Sequence, residues 1–275
     1  MQVTTPRIIH YCWFGHGELS EQARKTLASW ERYAPGYKIR RCDESNFDVD
    51  SCEWTRKAYE AKKYAFVADY ARFRMLYDFG GVYMDLGSEL IKDITPLVET
   101  CSPFSAIEEL SKTANTGLIA ATPPRNPVVA SVLARYEAMS FSDDAEYLQA
   151  NTVNEMLTSE LEKHGFVRKD RLQNAGGWTL LPSFYFNPVY GFGGYHIKKD
   201  TYSVHHYSGS WVEPEFRIKR KVVDAMSPFL GRRLAQIAGR IVGEIKVHGF
   251  CSGVSNLVSV TKDVAKRKVG IHDGF

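Results

Sequence analysis

The segment Val82-Tyr83-Met84-Asp85 reads as a strand that ends in a carboxylate, and Gly80-Gly81 stops the helical pattern before it. In open α/β sheets ligands collect outside the carboxyl ends of the strands, so Asp85 stands where a bound molecule would be met. Were the strand to continue, Asp85, Gly87 and Glu89 would share one face, with Glu89 about 6 to 7 Å further along. Two carboxylates two residues apart on such a face can share a divalent ion, but here the middle position is glycine. Asp69 and Arg72 lie three apart on a helical stretch, a spacing that by itself makes a surface ion pair contributing about 0.3 kcal/mol. His205 and His206 alternate faces if they lie on a strand, so at most one of them points toward a site beside Asp85.

These residues need a scaffold, and the pattern around them supplies one. Arg7 to Phe14 is a short apolar and aromatic run that reads as a buried strand, followed by a turn at Gly15-His16-Gly17. Ser20 is a helix N-cap, Leu27 and Trp30 recur at helical spacing, and Pro35-Gly36 ends that element before a second strand from Tyr37 to Arg41. Between Ala61 and Phe79, Phe66, Tyr70, Phe73 and Tyr77 mark one face of a helix. Strand and helix in alternation predict an α/β fold with a largely parallel sheet. Further strands are expected at Phe104–Glu108, Leu118–Thr122, Thr179–Phe186 and Tyr202–Tyr207, and helices near Asn126–Met139 and Asp144–Lys163. From Pro214 onward the pattern is that of two amphipathic helices interrupted by Pro228 and Gly231. The expected division is therefore a domain over 1–213 and a basic helical extension over 214–275.

Composition agrees with a globular enzyme-sized chain: 275 residues, 44% hydrophobic and 24% charged, which excludes collagenous, disordered and coiled-coil classes. Five cysteines without a C-x-x-C pair indicate reduced structural thiols. No phosphate loop of the nucleotide triphosphatase kind and no G-x-G-x-x-G pattern occurs, which argues against a kinase or a dehydrogenase. The N-terminus lacks a secretory pattern, and no apolar run of about 18 residues is present, so the expected location is the cytosol. The formal charge of +3 is uneven: residues 215–275 hold 12 Lys/Arg against 5 acids, leaving the remainder mildly acidic. A basic end suggests a surface that meets phosphates; a solvated helical cap is the plainer reading, and the lack of interleaved aromatics argues against nucleic acid.

Taken in order, Pro6-Arg7-Ile8-Ile9-His10 with Trp13-Phe14-Gly15, Ala68-Asp69-Tyr70-Ala71-Arg72, Leu76-Tyr77, Gly80 to Asp85, and His205 to Trp211 resemble the DXD sugar-binding glycosyltransferases. These include enzymes of bacterial capsule and yeast mannan synthesis, and the large clostridial glucosylating toxins share their core. The resemblance runs from about residue 6 to 212. It implies a GT-A (Rossmann-like) fold, a nucleotide-sugar donor, most simply a UDP-sugar, and retention of anomeric configuration. It also implies a lipid-linked oligosaccharide or polysaccharide acceptor, at the inner face of the plasma membrane if the basic extension binds anionic lipid. By this likeness Asp85, Arg72 and Asp69 carry the chemistry, Trp13 stacks on the base, and Tyr83 is a donor-side aromatic. Ser210 and Trp211 would donate to the diphosphate, His206 would belong to the segment that caps it, and Glu108 and Asn115 would be polar groups on the acceptor or donor side.

The chain departs from the family where Asp85-Leu86-Gly87 replaces Asp-x-Asp. Three outcomes follow: a divalent cation (Mn or Mg) held by Asp85 with His206 and Glu89, an enzyme that works with little or no metal, or a non-catalytic sugar-nucleotide binding protein.

Overall fold

The computed structural model describes residues 4–189, 195–206 and 214–248. The chain divides into two compact units, one of residues 1–188 with 196–208 and the other of 189–195 with 209–275. In the first unit the element order is β1 (Ile8–Cys12), α1 (Glu21–Tyr33), β2 (Lys38–Cys42), α2 (Glu53–Glu60), α3 (Tyr64–Phe79), β3 (Gly81–Tyr83), β4 (Ser88–Leu90), α4 (Thr95–Cys101) and β5 (Phe104–Ile107). It continues with β6 (Ala114–Thr122), α5 (Pro127–Glu137), α6 (Ala145–Ala150), α7 (Val153–Glu162), β7 (Gln173–Ala175), β8 (Trp178–Leu181) and β9 (Ser203–His205).

The main sheet has seven strands in the order β2-β1-β3-β6-β5-β8-β7. It is the helix-flanked α/β sheet that the strand and helix alternation predicts, parallel through β2, β1 and β3. Beyond β3 it is mixed: β6 runs antiparallel to both β3 and β5, whereas β5 and β8 are parallel. The reason is a short connection, since residues 108–113 join β5 to β6 and only a long crossover can return a chain in parallel. A second, two-stranded antiparallel ladder pairs β4 with β9, from Ser88 opposite His205 to Leu90 opposite Ser203.

Alternation along the strands sends neighbouring side chains into two cores. Val82 and Met84 join the cluster with Ile9, Trp30 and Phe104, whereas Tyr83 between them joins the cluster with Trp54, Tyr70, Phe73 and Trp178. Trp30, Trp54 and Trp178 are fully buried, each worth about 3 to 5 kcal/mol against alanine, and each indole N–H finds an acceptor. Trp30 Nε1 donates to the Ser88 carbonyl at 2.8 Å, and the Leu90 N–H donates to Ser29 Oγ at 3.0 Å. Helix α1 thus clasps β4 at both ends and draws it out of the main sheet.

The local signals mostly hold at the caps. Ser20 Oγ accepts from the Ala23 N–H at 3.1 Å, and Asn126 Oδ1 accepts from Val128 and Val129 at the start of α5. The expected helix over 144–163 is two helices, because Thr152 caps α7 with its own hydroxyl. The expected strand over 179–186 stops at Leu181, where Pro182 leads into a single 3-10 turn at Ser183–Tyr185. In the second unit, α8 (Pro214–His248) carries Pro228 inside it and breaks at Gly231, whose φ is 72°.

Candidate active site

Strands β1 and β3 are parallel neighbours, so Trp13 and Asp85 emerge at the same, C-terminal, edge of the sheet. Helix α3 delivers Asp69 and Arg72 to that edge, and β6 passes on the other side of β3. The spacing of Asp69 and Arg72 allows an ion pair, and the fold buries it: their side chains are 12% and 6% exposed, with Arg72 Nη2 to Asp69 Oδ1 at 2.8 Å. The guanidinium also donates to the Ala68 carbonyl at 3.2 Å and to Thr116 Oγ1 at 3.3 Å. It lies over the Tyr83 ring, 4.7 Å from its centroid, and 3.5 Å from Asp85 Oδ1. The Tyr83 hydroxyl donates to the same Asp85 oxygen at 2.9 Å.

One arginine therefore serves two carboxylates and an aromatic face, and the protonation states follow from burial. The Asp69 carboxyl is pushed up to about 6, because burial and the neighbouring Asp85 raise it by more than Arg72 pulls it down. Burial opposes the charge on Arg72, but Tyr83, Asp85 and Asp69 hold it protonated more firmly than usual. Burial likewise raises the Tyr83 hydroxyl well above its ordinary range, so it stays a donor at neutral pH. Asp85, at 38% side-chain exposure, is the member of the network that faces out.

The strand does not continue past Asp85. The Ser88 N–H donates to the Asp85 carbonyl at 2.9 Å, closing a turn over residues 85–88. Gly117 on β6 anchors this turn: its carbonyl accepts from the Asp85 N–H at 3.0 Å and from Ser88 Oγ at 2.8 Å. A Cβ at 117 would lie 2.2 Å from Asp85 Oδ2, so the carboxylate rests directly on bare backbone. The Gly117 N–H in turn donates to Asn115 Oδ1 at 2.8 Å, and Asn115 Nδ2 donates to Glu108 Oε2 at 2.6 Å. Glu108 and Asn115 are thus one relay removed from Asp85, through a backbone that no pattern in the sequence marks.

Glu89 and His206 form a separate pair, Oε2 to Nε2 at 2.7 Å, across the β4–β9 ladder. Gly87 accepts from the His206 N–H at 2.7 Å, and a Cβ there would lie 2.8 Å from the His206 carbonyl oxygen and 3.1 Å from the His205 ring. The glycine is what permits β9 to close on the turn. Trp13 is half-buried, its indole donating to the Gly17 carbonyl at 2.6 Å. Ser210 and Trp211 lie outside the described residues.

Besides Gly117, two contributors have no signal in the sequence. Thr116 is recognisable only once β6 lies beside β3. Glu44, just past β2, accepts from the Gly15 N–H at 2.6 Å and from the Tyr59 hydroxyl at 3.1 Å, and so pins the loop that follows Trp13. Burial raises the Glu44 carboxyl, but these donors more than compensate and hold it below its ordinary value.

Residues 20–103 match the family described as glycosyltransferase sugar-binding region containing DXD motif. That stretch holds Asp69, Arg72, Tyr83, Asp85, Gly87 and Glu89, and it supports the resemblance to DXD glycosyltransferases and glycosyl transfer as the broad activity, with a nucleotide sugar as donor. Among solved structures, one titled PaToxG Glycosyltransferase aligns at 16% identity and a TM-score of 0.46, over 58% of this chain and 68% of that one. A comparison with curated proteins finds no match.

Glycosyltransferases with a DXD motif typically use a divalent metal. The residues present do not form a two-carboxylate clamp for one. Asp85 is engaged by Tyr83 and Arg72, position 87 has no room for a side chain, and Glu89 is held by His206. Among the described residues no group of three or more His, Cys, Asp or Glu is placed to hold an ion.

Proposed function

We propose that this chain is a retaining hexosyltransferase that moves a sugar from a nucleotide donor, most simply a UDP-sugar, to a hydroxyl of a polysaccharide or lipid-linked oligosaccharide. The observation that carries the reading is the buried Asp69–Arg72 pair locked to Tyr83 and Asp85 at the C-terminal edge of β3, inside the matched sugar-binding stretch. Burying such a network costs desolvation that pairing only offsets, it leaves one carboxylate facing out, and sugar hydroxyls are suited to alternating acceptors and donors of this kind. In this reading Asp69 and Asp85 accept from donor hydroxyls, Arg72 donates to the transferred sugar, and Trp13 stacks on the base. Glu108 and Asn115 serve polar groups beside the transferred sugar.

No protein nucleophile is needed. The acceptor hydroxyl attacks the anomeric carbon on the face the diphosphate leaves, the glycosidic C–O bond to the diphosphate breaks, and the departing diphosphate takes the hydroxyl proton. The chain contributes position and electrostatics, with Ser210 and Trp211 as further donors to the leaving group. The domain boundary belongs near residue 213, and the working location is cytoplasmic, at the inner face of a membrane that carries the acceptor, with the basic stretch 215–275 as the contact.

A second reading, a sugar-nucleotide binding protein without turnover, is favoured by Gly87. One experiment separates the two. A panel of sugar nucleotides is screened for hydrolysis and for thermal stabilisation, with Mn²⁺ and with chelator, in the natural protein and in Asp85→Asn. Hydrolysis lost by at least about 100-fold in the variant supports transfer. Saturable stabilisation without sugar release in any condition supports binding alone, and no stabilisation by any donor sinks both.

A further inference from the structure

In the second unit, α8 turns the wrong residues outward for a helix in water. Beyond the break at Gly231, Leu234 is 56%, Ile237 59% and Ile241 40% exposed, and just before it Phe229 is 85% and Leu230 41% exposed. Steps of three and four place Leu234, Ile237 and Ile241 on one stripe. Ala235, Gly239 and Gly243, also four apart, are buried. The helix thus buries its small residues and presents its large branched ones, the reverse of a helix that packs on a core and faces solvent. A continuous apolar ridge of this kind marks a surface that something covers.

Charge selects what covers it. Residues 214–248 hold eight Lys/Arg against three Asp/Glu, and Arg240, exposed and three residues past Ile237, borders the ridge. A second copy of the chain would bring a like-charged helix against this one, whereas an anionic surface would be complementary. A bilayer rich in anionic headgroups supplies both halves of the match, acidic groups for the Lys/Arg and an acyl boundary for the ridge. We infer that α8 beyond Gly231 lies in the surface of an anionic lipid bilayer, with Leu234, Ile237 and Ile241 sunk to the headgroup boundary and Arg240 among the headgroups. This deepens the proposed function by narrowing its membrane contact from the basic stretch 215–275 to the apolar ridge beyond Gly231, and it rests on that reading only for its purpose, because the ridge is independent of the site.

The test is co-sedimentation of the full chain with phosphatidylcholine vesicles, with and without about 30% phosphatidylserine. The expected result is at least about 10-fold stronger partitioning onto the anionic vesicles, weakened several-fold on raising NaCl from about 0.1 to 0.5 M. Leu234→Ser/Ile237→Ser/Ile241→Ser should lose at least about 10-fold of that binding, and Arg240→Glu several-fold, with circular dichroism and melting unchanged. Should the triple variant fold poorly, Ile237→Asp alone provides the same readout. Equal partitioning onto both vesicles, or full binding by the ridge variants, overturns the inference. So does a dimer in light scattering that the ridge variants abolish, which would assign the ridge to a second copy. Donor binding is measured in parallel: vesicle binding with no response to any sugar nucleotide leaves the surface intact and removes the transferase reading.

Discussion

Helices α3 and α8 invert each other. In α3 one ion pair is inside, Asp69 and Arg72 being nearly sealed from water while Arg74 and Asp78 stay partly exposed, and in α8 the large apolar residues Leu234 and Ile237 are more than half exposed. Burying charge costs free energy unless every charge is matched, and exposing a leucine costs little by itself. The two departures from ordinary helix design therefore differ in kind. The α3 network is internally complete, its two carboxylates matched by Arg72 and the Tyr83 hydroxyl, whereas the α8 ridge is incomplete until a partner surface covers it.

The sharpest way to break this contrast is Arg72→Ala, which leaves two carboxylates and a tyrosine ring without their shared cation. It should cost about 3 to 5 kcal/mol in denaturant unfolding, and Asp69→Asn in the same chain should recover part of the loss. A cost below about 1 kcal/mol would mean that the pair is solvated after all. Next in size is Gly117→Ala, whose Cβ would meet Asp85 Oδ2 at 2.2 Å. Displacing that carboxylate should cut donor hydrolysis by about 100-fold, with a smaller loss of stability.

The pH dependence of the pair comes third. The Asp69 carboxyl titrates near 6 in the fold against an ordinary value of 3.8, so the folded state holds its proton more tightly than the unfolded chain does. Stability relative to Asp69→Asn should therefore be greatest at low pH and fall, by about 3 kcal/mol, as pH rises from about 4 to 6, then level off. A difference that is flat across that window would show that Arg72 keeps the carboxylate ionised throughout. Fourth, Gly87→Ala should cost about 1 to 2 kcal/mol, because the neighbour at 2.8 Å is the backbone oxygen of His206, just past β9, which no rotamer can move aside. The smallest effect belongs to α8, where Ile237→Ser should shift unfolding by no more than about 0.5 kcal/mol while acting on vesicle binding.

The sequence-level reading works where chemistry and local geometry coincide. Gly80-Gly81 after a helical stripe places Asp85 at a strand end, and helical spacing joins Asp69 to Arg72. It fails where distant segments decide. The surface ion pair that spacing alone suggests becomes a buried one because α3 is enclosed on most sides, with Val67, Tyr70, Phe73 and Leu76 all buried around the pair. The shared face of Asp85 and Glu89 depends on an unbroken strand, and the chain instead turns at 85–88 because α1 captures β4 through Ser29 and Trp30. Thr116, Gly117 and Glu44 carry no recognisable spacing relative to Asp85, since each arrives from another strand or loop. The placing of Glu89 beside His206 joins two residues expected to share a role, but as a pair of their own across the β4–β9 ladder.

Position 117 has a bearing on how this sheet edge can be altered. With Asp85 seated against its bare Cα, every residue other than glycine at 117 competes with the carboxylate for the same volume. Saturation mutagenesis of this edge would therefore return a blank column there, and variation enters more readily through Thr116, whose hydroxyl meets Arg72, than through Asn115, whose Oδ1 holds the Gly117 N–H in place.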